Sequence, residues 1–286
     1  TEARAAERHL VVQRANFARQ VASPEARDAR ELPVRERLVL WLDAADGPTL
    51  DDAGRVATWR DRSGQAHDAA QADFARRPAW VRDAVHGRPA ARFDGQRRFL
   101  TVAGQVLASQ QFTVVALVAD RGAPGHREVF SNWDGAAGNA GSSVFVGLTA
   151  ATAVRLSDDL SGMGQVEHPA QPFLLLAVSG AHDAAVFQNQ RAVVRKGGPL
   201  SPRNLRTSYA VGQQGNIDGE YWNGDIAELL VYDRELSNDE RLDLSRWLAR
   251  RYGLTPPSAP TRDARQLALA SLCHVLLNSN EFIYVD

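Results

Sequence analysis

The chain has 286 residues, 44% of them hydrophobic and 23% charged, with a formal net charge of −1. That length allows about two domains and a substantial core, and the near-neutral balance argues against a nucleic-acid backbone or an anionic membrane as an electrostatic partner. No apolar run approaches the roughly 18 residues of a membrane span, and a lone cysteine, Cys273, excludes an intramolecular disulfide and a thiolate zinc cluster.

In chain order, residues 1–36 are rich in Ala, Arg and Glu, good helix formers interrupted by Pro24 and Pro33. Ala3, Ala6, Leu10, Gln13, Phe17 and Val21 recur at three- to four-residue steps, so a helical segment with one apolar face is expected. The chain opens at Thr1 without Met, as a mature product or an excised piece of a longer chain would. Residues 37–254 change character, with short apolar runs punctuated by Gly, Pro, Asn and Asp. Expected strands are Leu38–Leu42, Val56–Arg60, Ala90–Phe93, Phe99–Val102, Phe112–Ala119, Glu128–Trp133, Ser143–Leu148, Ala153–Leu156, Phe173–Val178, Ala184–Gln188, Tyr209–Gly212 and Asp225–Tyr232. A dozen short strands without intervening helices point to a mainly β, antiparallel sandwich. Ser237-Asn238-Asp239-Glu240 then reads as a capping box opening a helix that Gly253 ends. Residues 255–261 are a Pro-rich linker, and residues 262–286 carry a C-terminal amphipathic helix with Leu269, Leu272, Leu276 and Leu277 on its apolar side.

Several motifs carry a resemblance. Leu40-Trp41-Leu42-Asp43-Ala44, Trp59-Arg60-Asp61-Arg62-Ser63-Gly64, Arg77-Pro78 and Arg92-Phe93-Asp94-Gly95 come first; Tyr221-Trp222-Asn223-Gly224-Asp225 and Val231-Tyr232-Asp233-Arg234 follow. In this order they resemble a laminin-G-like, concanavalin-A-type jelly roll of the kind found in large bacterial secreted proteins. The C-terminal run Ala270–Asp286 resembles the terminal signature of a planctomycete-type secreted domain of unknown function, and Glu7–Phe17 resembles the helix that precedes it. The resemblance implies a jelly-roll sandwich with flanking N- and C-terminal helices, inserted in the end of a helical domain whose remainder lies upstream. It also implies an extracytoplasmic location.

The chemistry-bearing residues point away from catalysis. A retaining glycosidase on a sandwich needs two carboxylates about 5–5.5 Å apart, which on a strand would read as acid-x-acid. The Glu-x-Asp-x-Glu pattern is absent; Asp218-Gly219-Glu220 has the spacing but falls in a turn, and Asp233-Arg234-Glu235 falls at a strand-to-helix corner. The seven histidines are scattered, without zinc-ligand spacing or a triad. A sugar site needs less: an aromatic platform beside Asn, Asp, Gln or Arg. Two loops offer it, Asn132-Trp133-Asp134 through Asn139, and Gln213 through Tyr221-Trp222-Asn223. Ligand contact is therefore expected at Asn132, Trp133, Asp134, Asn139, Tyr221 and Trp222, although Trp222 also belongs to the fold motif and can simply pack. Calcium is the one accessory ion considered, with Asp134, Asn139, Asp158 and Asp159 as oxygen donors; solvated or turn-capping carboxylates explain the same residues. Asp61 reads as a turn-former.

The expectation is a non-catalytic, extracytoplasmic carbohydrate-binding module for a polysaccharide or glycoprotein glycan, requiring no cofactor. Nucleic acid and a membrane span are not expected. A structural domain docking upstream parts of its parent protein, or a degenerate glycosidase or lyase, are the alternatives.

Overall fold

The computed structural model describes residues 31–135, 142–215 and 217–255. The expected N-terminal helix over residues 1–30, the linker beyond residue 255, the C-terminal helix, Asn139 and Cys273 lie outside the described residues. Residues 31–36 are irregular, not helical; Pro33 lacks the amide a helix interior needs, and Leu32 and Val34 are buried against the sandwich.

Among the described residues there are seventeen strands and one α-helix, arranged as two antiparallel sheets. The first sheet runs β15 (Arg191–Gly197), β14 (Asp183–Gln188), β13 (Phe173–Ser179), β8 (Phe112–Asp120), β17 (Asn223–Tyr232), β6 (Arg88–Asp94) and β5 (Ala79–Val85), with β1 (Leu38–Asp43) also paired to β17. The second runs β12 (Leu160–Gln165), β11 (Ala153–Leu156), β10 (Phe145–Leu148), β9 (Arg127–Ser131), β16 (Tyr209–Val211), β7 (Leu100–Val102), β4 (Ala69–Ala70), β3 (Val56–Trp59) and β2 (Pro48–Leu50). The chain passes repeatedly from one sheet to the other, after β1, β4, β6, β7, β8, β12, β15 and β16, as an antiparallel jelly-roll sandwich requires.

The main core lies between the sheets and holds Trp59, Phe93, Phe112, Phe130, Phe173, Tyr209 and Trp222. The helix α1 (Asn238–Tyr252) covers the other face of the eight-stranded sheet and makes a second core with Trp41, Leu117, Leu174, Tyr232, Leu244, Trp247 and Leu248. That sheet is therefore apolar on both faces, which is why Phe112–Asp120 and Phe173–Ser179 read as unbroken buried runs. The outer face of the nine-stranded sheet has no such cover from a helix among the described residues.

The resemblance motifs serve the fold. Asp61 accepts hydrogen bonds from the amides of Trp41 (2.9 Å), Ser63 (2.8 Å) and His67 (3.0 Å), pinning the turn to β1. Asp225 takes Arg92 through two bonds of 2.6 and 2.8 Å. Gly224 leaves β17 free to lie against the Ala119 carbonyl, where a side chain would overlap it.

Candidate site on the outer face of the nine-stranded sheet

The two loops singled out by composition lie together. Gly215, at φ +74°, packs on the Trp133 backbone where a Cβ would overlap it, and a Cβ on Gly135 would come within 2.9 Å of Ile217. Ser131 donates to the Gln213 carbonyl at 2.7 Å, fastening the end of β9 to the start of the second loop.

Within this junction the residues divide sharply. Asn132 is completely buried: its side-chain oxygen accepts from the Val144 amide and its nitrogen donates to the Asn204 carbonyl, both at 2.7 Å. Trp222 is likewise fully buried in the main core. Neither can meet a ligand, because burial has consumed the polar edge of one and the ring faces of the other; both belong to the scaffold. Trp133 is only partly buried and sits edge-to-face on Phe145 at 6.2 Å. Asp134 beside it is exposed. Tyr221 is partly exposed, tilted against Phe99 at 6.4 Å, and donates to Asp218 at 2.9 Å. Burial and the bond to Asp218 push its phenol up to about 12, so it stays a neutral hydroxyl.

Two charged residues that composition did not reveal occupy the centre. In the register of β9, β10 and β11, Glu128 faces Gly147 and Gly147 faces Arg155. A Cβ on Gly147 would stand 2.7 Å from the Glu128 carboxylate, so the glycine is what lets Glu128 reach across β10. One Arg155 nitrogen, Nη1, donates to Glu128 at 2.5 Å and also to Glu220. Arg155 Nη2 lies 3.5 Å from Asp158, and His126 lies 3.4 Å from Glu220. The Arg155 guanidinium also stacks over Phe145 at 4.1 Å, which joins the ion cluster to Trp133.

The electrostatics follow from depth. Glu128 has no exposed surface, whereas the Glu220 side chain is 24% exposed. Burial, together with the Glu220 charge, pushes the Glu128 carboxyl up to about 8 against the pull of Arg155. Arg155 itself is held above its usual range by the two glutamates, although burial works against its charge. One oxygen of Glu128 and Arg155 Nε are buried without a hydrogen-bond partner among the described residues. A charged residue inside an apolar strand, as in Arg127-Glu128-Val129-Phe130 and Ala153-Val154-Arg155-Leu156, was the available signal for this centre.

Of the expected calcium donors, Asn139 lies outside the described residues, and Asp158 and Asp159 are engaged elsewhere. Asp159 is the hub of a different network, accepting from Lys196 (2.6 Å), Arg203 (3.0 Å) and Ser201 (3.0 Å). Although buried, it is held below the usual carboxylate range by those bonds; a carboxylate neutralised by two cations does not fit a calcium ligand. Asp158 instead faces Arg155. Among the described residues no group of three His, Cys, Asp or Glu side chains could hold a metal ion. No described helix is long and apolar enough to cross a membrane.

A separate cavity of about 330 Å³ lies against the eight-stranded sheet, lined by Phe187, Arg195, Glu235 and Arg241 among others. Its charges are mixed, with Arg195 paired to Asp183 at 2.7 Å, and it carries none of the residues expected to contact a sugar or calcium.

No family model and no curated protein matches the sequence. Solved structures do. The sialidase of Trypanosoma rangeli aligns at TM-score 0.53 and 15% identity, over 78% of this chain and 34% of that one. Its complex with 2,3-difluorosialic acid, a covalent intermediate, aligns at TM-score 0.52 and 16% identity, over 78% and 35%. Domain 4 of AbnA, a GH43 extracellular arabinanase from Geobacillus stearothermophilus solved with arabinotriose, aligns at TM-score 0.48 and 14% identity, over 73% of this chain and 98% of that one. The chain thus spans about a third of the length of the sialidases it matches. At these identities the likeness is one of fold alone.

Proposed function

We propose that this chain is a non-catalytic glycan-binding module that works outside the cytoplasm as part of a larger protein. The observation that carries the reading is the patch at the loop junction. A partly exposed tryptophan is linked through the buried Phe145 and Arg155 to the partly exposed Glu220, next to Tyr221, which puts an apolar ring near hydrogen-bond donors and acceptors. That is the chemistry a sugar presents in reverse. The resemblance to laminin-G-like domains of secreted planctomycete-type proteins supports the location and the role, by analogy of fold.

The carboxylate pair favours binding over hydrolysis. A glycosidase sets its two carboxylates on either side of a sugar; here both sit on one guanidinium nitrogen, and Glu128 has no surface with which to touch a substrate. The test is a glycan array probed with the chain, with and without EDTA. Saturable binding that survives EDTA and falls at least tenfold in Trp133→Ala is expected. Silence across a broad array, together with stable association of the chain with upstream parts of its parent protein, would replace glycan binding with an assembly role.

A further inference from the structure

We infer that the ligand is an uncharged polysaccharide chain, several sugar units long, that crosses the nine-stranded sheet from Trp133 to Phe74. This rests on the glycan-binding reading and specifies its ligand.

The first ground is charge. Along the path from Trp133 three guanidiniums, those of Arg155, Arg76 and Arg77, are already matched by carboxylates, while Arg55 at its far end bonds a backbone carbonyl. Arg155 is held by Glu128 and Glu220. Arg76 holds Asp218 at 2.6 and 3.3 Å. Arg77 pairs with Asp51 at 3.2 Å. At Arg155, Arg76 or Arg77 a carboxylated sugar would have to displace one of these acceptors and leave it beside its own charge, whereas hydroxyls can use the remaining lone pairs of Glu220 and Asp218 without breaking a pair.

The second ground is the run of rings. Trp133 rests on Phe145, Arg155 covers Phe145, and Glu220 precedes Tyr221, which leans on Phe99. Arg76 lies over Phe99 at 5.7 Å, and two residues earlier comes Phe74. Phe74 is 49% exposed, one of three large apolar side chains so exposed among the described residues. Its ring is nonetheless held in place. Arg55 stacks on it at 4.2 Å while donating to the Phe74 carbonyl at 3.0 Å. Asp73 caps the turn through the Ala75 amide at 2.9 Å, and the Arg76–Asp218 pair ties that turn to the Tyr221 loop. With Arg55 over it and Arg77 5.9 Å from its centroid, the half-exposed ring is held in place, and its exposed part is a platform for an apolar face. From β9, which Trp133 follows, to β4, which Phe74 follows, is three strand spacings, roughly 14 Å, too wide for a single sugar unit.

The test is calorimetric titration of the whole chain with neutral polysaccharides (arabinan, xylan, a β-glucan) and acidic ones (polygalacturonate, polysialic acid). An oligosaccharide ladder of the neutral polymer that binds best follows, repeated on Phe74→Ala with its Tm checked. Binding of a neutral polymer only, at least a tenfold gain in affinity from di- to hexasaccharide, and loss of most of that gain in Phe74→Ala are expected. Preference for an acidic polymer, affinity independent of length, or an undiminished gain in Phe74→Ala overturns the inference and leaves glycan binding standing. Absence of binding to every polymer overturns both.

Discussion

Glu128 carries its carboxyl out of water between Arg155, which favours the charged form, and Glu220, which opposes it. With its pKa near 8, the folded chain keeps a proton there that the unfolded chain releases in the ordinary carboxylate range. Glu228, buried beneath α1 and close to Asp43, is raised in the same way to about 7. Both groups therefore bind more protons when folded, so stability falls as pH rises from about 5 to 8. Thermal unfolding should show Tm decreasing across that window, and Glu128→Gln should flatten the decrease; an unchanged slope in the variant would show that Glu128 is ionised throughout. Asn132 makes a second residue-scale case. Its amide satisfies one buried backbone donor and one buried acceptor, so Asn132→Ala should lower unfolding stability by about 2 kcal/mol, measured by urea titration. Composition picked out Asn132 and Trp222 beside Trp133 and Tyr221, since residue type alone does not reveal depth. Only the register of β9 with β10, and the packing of Trp222 between sheets, separates scaffold from surface.

Among the elements, α1 was the most legible. Ser237 accepts from the Glu240 amide and Glu240 from the Ser237 amide, and Gly253 closes the helix at φ +62°. Local side-chain chemistry specifies both ends, so nothing distant had to be known. Ser237→Ala should cost about 1 kcal/mol in unfolding free energy. The Arg234 pair and the cap bonds hold Glu240 down to about 2, so its contribution, present above the ordinary carboxylate range, should be lost as pH falls toward 2. Each of the twelve expected strands is present, with ends shifted by at most two residues. The unforeseen strands are instructive. They are β15 and β5, which end the path of one sheet, β2 and β12, which bound the other, and the two-residue β4. Sheet margins face water, and their sequences show it: β15 carries Arg191, Arg195 and Lys196, β5 carries Arg82 and Asp83, and β12 carries Gly162 and Gly164. Such composition protects margins from pairing with other chains and removes the apolar run by which interior strands are recognised.

For the whole molecule, a net charge of −1 coexists with many internal ion pairs, several of them buried. Arg127 and Asp120 have no exposed side-chain surface and bond at 2.6 and 2.7 Å. The long side chains of the arginine-rich composition thus end largely on carboxylates, and the outer face of the nine-stranded sheet offers matched charges instead of a field. The sandwich was legible because its interior strands are apolar and its turns are marked by Gly and Asp. The site was legible as two loops but not as a centre, because Glu128, Arg155 and Glu220 come from separate parts of the chain and meet only through strand register and Gly147. The most direct test is a crystal structure of the chain with the neutral oligosaccharide it binds best. The predicted result is a sugar ring stacked on Trp133, with hydroxyls bonded to Glu220 or Tyr221. A sugar seated instead in the cavity beside Phe187 and Arg241, with Trp133 uncovered, would contradict the assignment.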